Sequence, residues 1–327
     1  MNNLAPVREQ TGIRHFIDLR DLDASTLRAI IDVGASVKRM QSGRKFLLHP
    51  KQPLAGRSLG LMLEKPSTRT RISFEVGTGQ LGGRTLILSP ADMQVGRGES
   101  LADTARVLSR FLDALVVRTG DVETLRELTR WSSIPVINGL TPDSHPVQIL
   151  ADIMTFEEHR GPVAGTKWAW VGDGNNVATS LIEGAVRFDF SLDLATPPSL
   201  SPRPEVLDWA RREGGRIRLF HDPEDAVKNA DCVVTDTWTS MSDIDSEERL
   251  EALRPFQISK HLMSQAASGA LFMHCLPAHV GEEVSSEVFE SAASVVFDEA
   301  ENRLHAQKSL LLWCLGGEDW ASAGLAS

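Results

Sequence analysis

Cysteine is scarce in this 327-residue chain, long apolar runs are missing, and positive charge is outnumbered. The three cysteines, Cys232, Cys275 and Cys314, are widely separated, which suits a reducing compartment rather than a disulfide framework. No stretch approaches the ~20 apolar residues that span a bilayer, so no membrane partner is expected. The N-terminal "MNNLAPVREQTGIRHF" lacks the apolar core of a signal peptide. A cytoplasmic location follows as the expectation. With 34 Lys and Arg against 44 Asp and Glu, the formal net charge of -10 argues against nucleic acid as a partner. A local cluster of Arg can override that global sign, so a small anionic substrate stays open. No repeat of solenoid period and no low-complexity tract is present.

What is present is the composition of a globular protein, 42% hydrophobic and 24% charged, long enough for two domains. Short runs rich in Val, Ile and Leu alternate with helix-period segments. The first series of runs is "SLGLML", "RTLILS", "DALVVR" and "IPVING". The second is "KWAWVG", "FSLDLA", "RIRLF", "DCVVTD", "ALFMHC" and "SVVFD". Strands this apolar, alternating with helices, predict an α/β protein of two doubly wound parallel-sheet domains joined by helices. The segment "HPVQILADIMTFEEHRG" lies between the series, with Pro146 as first helical residue and Gly161-Pro162 as the stop. The expected domains are residues 1–150 and 151–305, with a C-terminal helix over about 306–327 packing back on the first.

Residues 64–75 read E-K-P-S-T-R-T-R-I-S-F-E, where a strand turns into a helix. A helix start has N–H groups without helical partners and a partial positive charge, so it favours an anion. Ser67, Thr68 and Thr70 add hydroxyl donors, and Arg69 adds a bidentate fork for phosphate or carboxylate. Arg71 points to another face and lies four residues before Glu75, its expected partner. Taken alone, the same residues also make an ordinary helix cap with surface arginines.

Other polar residues fall at predicted strand ends, where open α/β sheets bind ligands. Arg118 closes "DALVVR", as a ligand contact or a solvated strand end. His145 and Gln148, three apart at a helix start, can face one ligand and are expected to donate hydrogen bonds to a carbonyl. "WVGDGNNVATS" lacks the third Gly of a dinucleotide fingerprint, and "SLDLATP" has no acidic residue for a ribose. Asn176 is therefore read as a polar ligand to something small. Asp236 and Ser240 in "TDTWTSM" offer a carboxylate to an ammonium group, or a turn. "HCLPAH" holds three zinc-ligand residue types but no second cluster completes a tetrahedral set, so no metal is expected. Cys275 there reads as a polarizable neighbour of a substrate amine. Arg303 in "ENRLHAQK" carries no meaning by itself.

In this order and spacing, S-T-R-T-R at 67–71, "DMQVGRGES" at 92–100, H-P-V-Q at 145–148, D-x-x-x-S-M at 236–241, H-C-L-P at 274–277 and "ENRLHAQK" at 301–308 resemble the carbamoyltransferase family. The resemblance runs from about residue 15 to 315. It implies a carbamoyl-phosphate domain and an amino-acid domain, in a homotrimer or a multiple of trimers with shared active sites. It implies transfer of the carbamoyl group of carbamoyl phosphate to the δ-amine of L-ornithine, giving citrulline and phosphate in arginine metabolism, biosynthetic or catabolic, without a cofactor. By the resemblance Ser67, Thr68, Arg69 and Thr70 hold the phosphate, and Gln94 reaches it from a neighbouring subunit. Arg118, His145 and Gln148 surround the carbamoyl group, and Arg303 closes the site. Asn176, Asp236, Ser240 and Met241 hold the amino-acid end of ornithine, with Cys275 and Leu276 near the reacting amine. Arg118, His145, Cys275 and Arg303 are thus the expected catalytic set.

Aspartate-using members of that family carry a Lys in the mobile loop and P-L-P-R where this chain has Gln94 and His274-Cys275-Leu276-Pro277. Without that Arg a second substrate carboxylate would lie unpaired, which costs several kcal/mol when buried. An amine tail fits better. One departure is Ser242 where the family has Gly, a strained choice if the backbone there takes φ > 0. A nicotinamide-dependent oxidoreductase and a non-catalytic anion-binding relative are the competing classes.

Overall fold

A computed structural model describes residues 12–41, 47–65, 67–89, 98–239 and 247–323 of the chain. The chain forms two compact units. The first runs to Val147 and resumes at Arg303, and the second holds Gln148–Asn302.

In the first unit the strands β1 (Ser58–Leu63), β2 (Arg84–Leu88), β3 (Ala114–Arg118) and β4 (Val136–Leu140) form one parallel sheet in the order β2-β1-β3-β4. Its helices are α1 (Ala24–Gln41), α2 (Thr68–Gln80), α3 (Leu101–Phe111) and α4 (Val122–Trp131). Capping residues start three of them, and at α1 Asp23 Oδ1 accepts from Thr26 N–H. Ser100 Oγ accepts from Asp103 N–H, and the Asp121 carboxylate accepts from the N–H groups of Glu123 and Thr124. Met62, Leu115, Val117, Leu125, Leu128 and Val136 build a core against the sheet. Gly60 is closely packed, since a Cβ there would sit 2.6 Å from Leu112 Cδ1 and that leucine would have to shift. Helix α5 (Pro146–Arg160) begins in this unit and continues into the second.

The second unit has five parallel strands, β5 (Lys167–Val171), β6 (Ser191–Ala195), β7 (Ile217–Phe220), β8 (Cys232–Thr235) and β9 (Leu271–His274), ordered β7-β6-β5-β8-β9. Between and after them come α6 (Asn176–Arg187), α7 (Pro204–Arg212), α8 (Pro223–Val227), α9 (Glu247–Leu253), α10 (Lys260–Met263) and α11 (Ser286–Phe289). Ala169, Val171, Val233 and Phe272 are buried beneath Ile258, Val284 and Val296. Helix α12 (Val296–Leu315) starts here and returns the chain to the first unit, where α13 (Trp320–Ala323) follows.

Two parallel α/β sheets joined by helices are what the alternating pattern predicts. One strand expectation is overturned. "SVVFD" makes only an isolated bridge, Ser294 to Phe272, and from Val296 it is the first turn of α12. Asp298 and Glu299 in that turn favour a helix N-terminus, and a short apolar run does not by itself tell helix from strand. Among the described residues no helix is long and apolar enough to cross a membrane.

The strand orders place the sites. In each sheet the winding reverses once, between β1 and β3 in the first unit and between β5 and β8 in the second. The carboxyl ends of those strands are where open α/β sheets leave a crevice for a ligand.

Candidate active site

In the first unit, α2 opens just past the end of β1, with Ser67 extended as its cap residue. Arg118 ends the adjacent β3 and donates from Nη1 to Ser67 Oγ (3.1 Å) and Thr70 Oγ1 (3.4 Å). Arg303, from α12, donates from Nη2 to Thr70 Oγ1 at 2.9 Å, and its Nη1 lies 3.4 Å from His145 Nε2. Thr70, His145 and Arg303 are all buried. Ser67, Thr70, Arg118, His145 and Arg303 therefore form one cluster at the switch point.

Its electrostatics are those of an anion site. Burial, then the positive charges of Arg303, Arg118 and Arg69, hold the His145 pKa well below the usual imidazole range. His145 is neutral at pH 7, and with Nε2 facing an Arg donor its Nδ1 carries the proton. Three guanidiniums near a helix start make a local positive field that favours an anion such as phosphate. Arg69 is half-buried, whereas Thr68 is exposed. Arg71 lies apart in role, since its Nε is 3.6 Å from Glu75 Oε2 and both side chains are about half exposed. That is the pairing expected from the four-residue spacing.

In the second unit, Asp236 follows β8 at the other switch point. Its Oδ2 accepts from Asn175 Nδ2 at 2.9 Å, and its Oδ1 accepts from Cys275 Sγ at 3.0 Å and from Thr237 N–H at 2.8 Å. Asn175 is the residue that sequence reasoning missed. It caps α6 by accepting from Val177 and Ala178 N–H and turns its amide to Asp236, while Asn176 is the first helical residue. The Asn-Asn pair contained the signal, since Asn is a favoured N-cap. Burial, then the adjacent Asp236 carboxylate, pushes the Cys275 thiol well above its ordinary pKa. It is a thiol at neutral pH, and a donor.

Behind it, His274 N–H donates to Glu299 Oε2 (2.8 Å), and His274 Nδ1 accepts from Leu276 N–H (2.8 Å). Leu276 has φ +58, the left-handed region that a branched side chain rarely enters. The His274 ring has Nδ1 on Leu276 and Nε2 3.1 Å from Glu283 Oε1. Although ligand atoms of Asp236, His274 and Cys275 lie within 4.8 Å of one another, a cation would have to displace one of those bonds.

Gln148 also lies in this unit, where its Nε2 donates to Asp152 Oδ1 and Glu299 Oε1, both at 2.8 Å.

The Gly-rich turn after β5 has a packing reason for its glycine. A Cβ on Gly174 would sit 2.2 Å from Pro202 N, so close backbone packing requires Gly there with no nucleotide involved. Gln94, Ser240, Met241 and Ser242 lie outside the described residues.

Comparison with known proteins agrees with both halves. Residues 14–158 match the carbamoyl-P binding domain of aspartate/ornithine carbamoyltransferase, and residues 164–314 match its Asp/Orn binding domain. The chain is 55% identical over 303 residues to an ornithine carbamoyltransferase of Nitrobacter winogradskyi, covering 93% of this chain and 97% of the relative. It is 52% identical over 305 residues to one of Brucella suis, covering 93% and 96%. Among solved structures, the ornithine carbamoyltransferase of Pyrococcus furiosus superposes with a TM-score of 0.88 at 45% identity, covering 93% of this chain and 97% of that one. That of Burkholderia thailandensis gives 0.84 at 41%, covering 93% and 99%. The chain belongs to the aspartate/ornithine carbamoyltransferase family.

Proposed function

We infer that the protein is an enzyme that transfers the carbamoyl group of carbamoyl phosphate to the δ-amine of L-ornithine, giving L-citrulline and phosphate. One observation carries the reading. The first unit gathers Arg118 and Arg303 on Thr70 beside a helix start, an anion site, while the second presents the Asp236 carboxylate with Asn175 and Cys275. A doubly charged phosphate suits the first, and an ammonium-bearing amino acid suits the second.

Ser67, Thr68, Arg69 and Thr70 would hold the phosphate, with Gln94 supplied by a neighbouring subunit. Arg118, His145 and Gln148 would surround the carbamoyl group, and Arg303 would close the site. Asn175, Asn176, Asp236, Ser240 and Met241 would hold the α-amino acid end of ornithine, with Cys275 and Leu276 beside the reacting amine.

A free δ-amine titrates near a Lys, about 10.4, so the reactive neutral form is scarce at pH 7. Partial desolvation beside Cys275 raises its share. The nitrogen lone pair attacks the carbamoyl carbon, and negative charge develops on the carbonyl oxygen. Arg118, His145 Nδ1–H and the Thr70 hydroxyl stabilise that charge as fixed donors. The C–N bond is completed, the carbon–oxygen bond to phosphate breaks, and the amine proton passes to the departing phosphate. No protein base is required. His145 cannot serve as one easily, because burial and then the surrounding guanidiniums disfavour its protonated form.

A homotrimer or a multiple of trimers, a cytoplasmic location and a place in arginine metabolism complete the proposal. The three cysteines are free thiols, which supports a reducing compartment. Exposed apolar side chains on the first unit, Ile72, Val107 and Phe111 among them, support assembly. The deciding experiment is a citrulline assay with ornithine, aspartate, putrescine and N-acetylornithine as acceptors. At least tenfold preference for ornithine over aspartate is expected, and equal or greater turnover of aspartate would overturn the assignment.

A further inference from the structure

The carboxylates that "HCLPAH" lacks stand just beyond it, at Glu282 and Glu283. Residues 279–282 make a tight turn, closed by Glu282 N–H on the His279 carbonyl at 2.9 Å, with Gly281 at φ +101. The turn brings His279 Nδ1 to 3.5 Å from Glu282 Oε2. Glu283 is fully buried, and its Oε1 accepts from His279 N–H and lies 3.1 Å from His274 Nε2. Its other oxygen, Oε2, is buried with no hydrogen-bond partner among the described residues. One ligand atom each from His279, Glu282 and Glu283 lies within 4.8 Å of the others.

These acceptors outnumber the hydrogens they share. Thr237 Oγ1 gives its own hydrogen to the Thr239 carbonyl at 2.9 Å, so toward His279 Nδ1, 3.2 Å away, it is an acceptor. The single hydrogen on Nδ1 therefore faces both Thr237 Oγ1 and Glu282 Oε2. A buried carboxylate oxygen without a donor is costly. A divalent cation in place of that hydrogen would serve the nitrogen and both carboxylates together. Zinc bonds of about 2.0–2.2 Å to nitrogen and oxygen set tetrahedral ligands about 3.3 Å apart. The Nδ1–Oε2 separation of 3.5 Å is already close to that.

We propose that His279, Glu282 and Glu283 form an accessory site for one divalent transition-metal cation of the zinc type, with water completing its ligands. Glu283 binds through Oε2, so its bonds to His279 N–H and His274 stay in place. The side chains of His279 and Glu282 are 43% and 49% exposed, which lets the ion enter from solvent. An imidazole in the set favours zinc over magnesium, which prefers oxygen and its own water. None of the three residues is assigned to the transfer chemistry, so the site does not depend on the carbamoyl-transfer reading.

The test is equilibrium dialysis of the chelator-stripped, full-length protein against zinc chloride. It is run in the C275S background, which removes the thiol of the nearby Asp236–His274–Cys275 group. One equivalent of zinc should bind there, and excess magnesium should not displace it. Adding H279A or E282Q should weaken that equivalent at least tenfold. Both replacements change part-exposed side chains, and circular dichroism melts should stay within a few degrees of the C275S parent. If H279A does not fold, E282Q carries the test alone. No bound equivalent in C275S would assign any zinc to the thiol group and overturn the proposal. An equivalent that survives H279A or E282Q undiminished, or that magnesium displaces, would overturn it as well.

Discussion

Arg303 Nη2 donates to Thr70 Oγ1 across 2.9 Å, joining residues 233 positions apart, and the same hydroxyl receives Arg118 Nη1 at 3.4 Å. A hydroxyl that accepts two bonds has one hydrogen left to give. Thr70 thus aligns two guanidiniums and still offers a donor.

Thr70→Val keeps the shape and removes both functions. Bonds to charged groups contribute about 1.5–3 kcal/mol each. The variant should lose about 10²-fold in kcat/KM for carbamoyl phosphate while KM for ornithine changes little. Steady-state kinetics with each substrate varied in turn decides the matter, and a loss under twofold would remove Thr70 from the site.

Arg69 and Arg71 should fail differently. Arg69→Ala removes a charge-assisted contact to phosphate and should cut kcat/KM for carbamoyl phosphate by about 10²-fold or more with little change in Tm. Arg71→Ala breaks an exposed pair with Glu75, which contributes at most about 0.5 kcal/mol. It should leave kinetics and Tm nearly as they were. Greater damage to phosphate binding from Arg71→Ala than from Arg69→Ala would reverse the two roles.

Much of this was legible along the chain because it is local. The hydroxyls and Arg69 of residues 67–70 stand at a helix start after a strand, and Arg118 and Asp236 stand at strand ends. What the chain hid was non-local. Nothing near Gln148 in sequence reveals Glu299 as an acceptor of its amide hydrogens. Asn175 and Asn176 are chemically identical neighbours, and only the extended backbone of the cap residue selects which one turns to Asp236. "SVVFD" failed for a third reason. Its β-branched pair is compatible with a strand, and the acidic residues after it favour a helix start.

Cys275 should behave as a protonated donor, not a nucleophile. Iodoacetamide should label it slowly at pH 7.5 and faster above pH 9, as read by peptide mass mapping. Asp236→Asn removes the charge that disfavours the thiolate, so labelling at pH 8 should speed up. Rapid labelling at pH 7 in the unchanged enzyme would contradict the burial and the Asp236 bond together.

Assembly should depend on the apolar surface of the first unit. Val107 and Phe111 lie one turn apart on α3 and are exposed, Phe111 by 72%. Phe111→Glu should shift a trimer toward smaller species in light scattering, with parallel loss of activity. A fully active monomer would exclude active sites shared between subunits.

Asp173 supplies a pH signature. Burial first, with some help from Asp236, raises its pKa from 3.8 to about 6, against the opposing pull of Arg249, whose Nη2 is 2.5 Å from Asp173 Oδ2. Unfolded, the same carboxyl loses its proton near 3.8. Between those values the folded protein binds more protons than the unfolded one, so this residue makes stability fall as pH rises from about 4 to 6. Above that window its contribution is a constant cost of about 3 kcal/mol, already net of the Arg249 pair. Asp173→Asn abolishes the titration. In urea unfolding across pH 4–8, the stability of the variant relative to the parent should rise through the window and then level off. A difference that stays constant with pH would mean that Asp173 is ionised throughout, held so by Arg249.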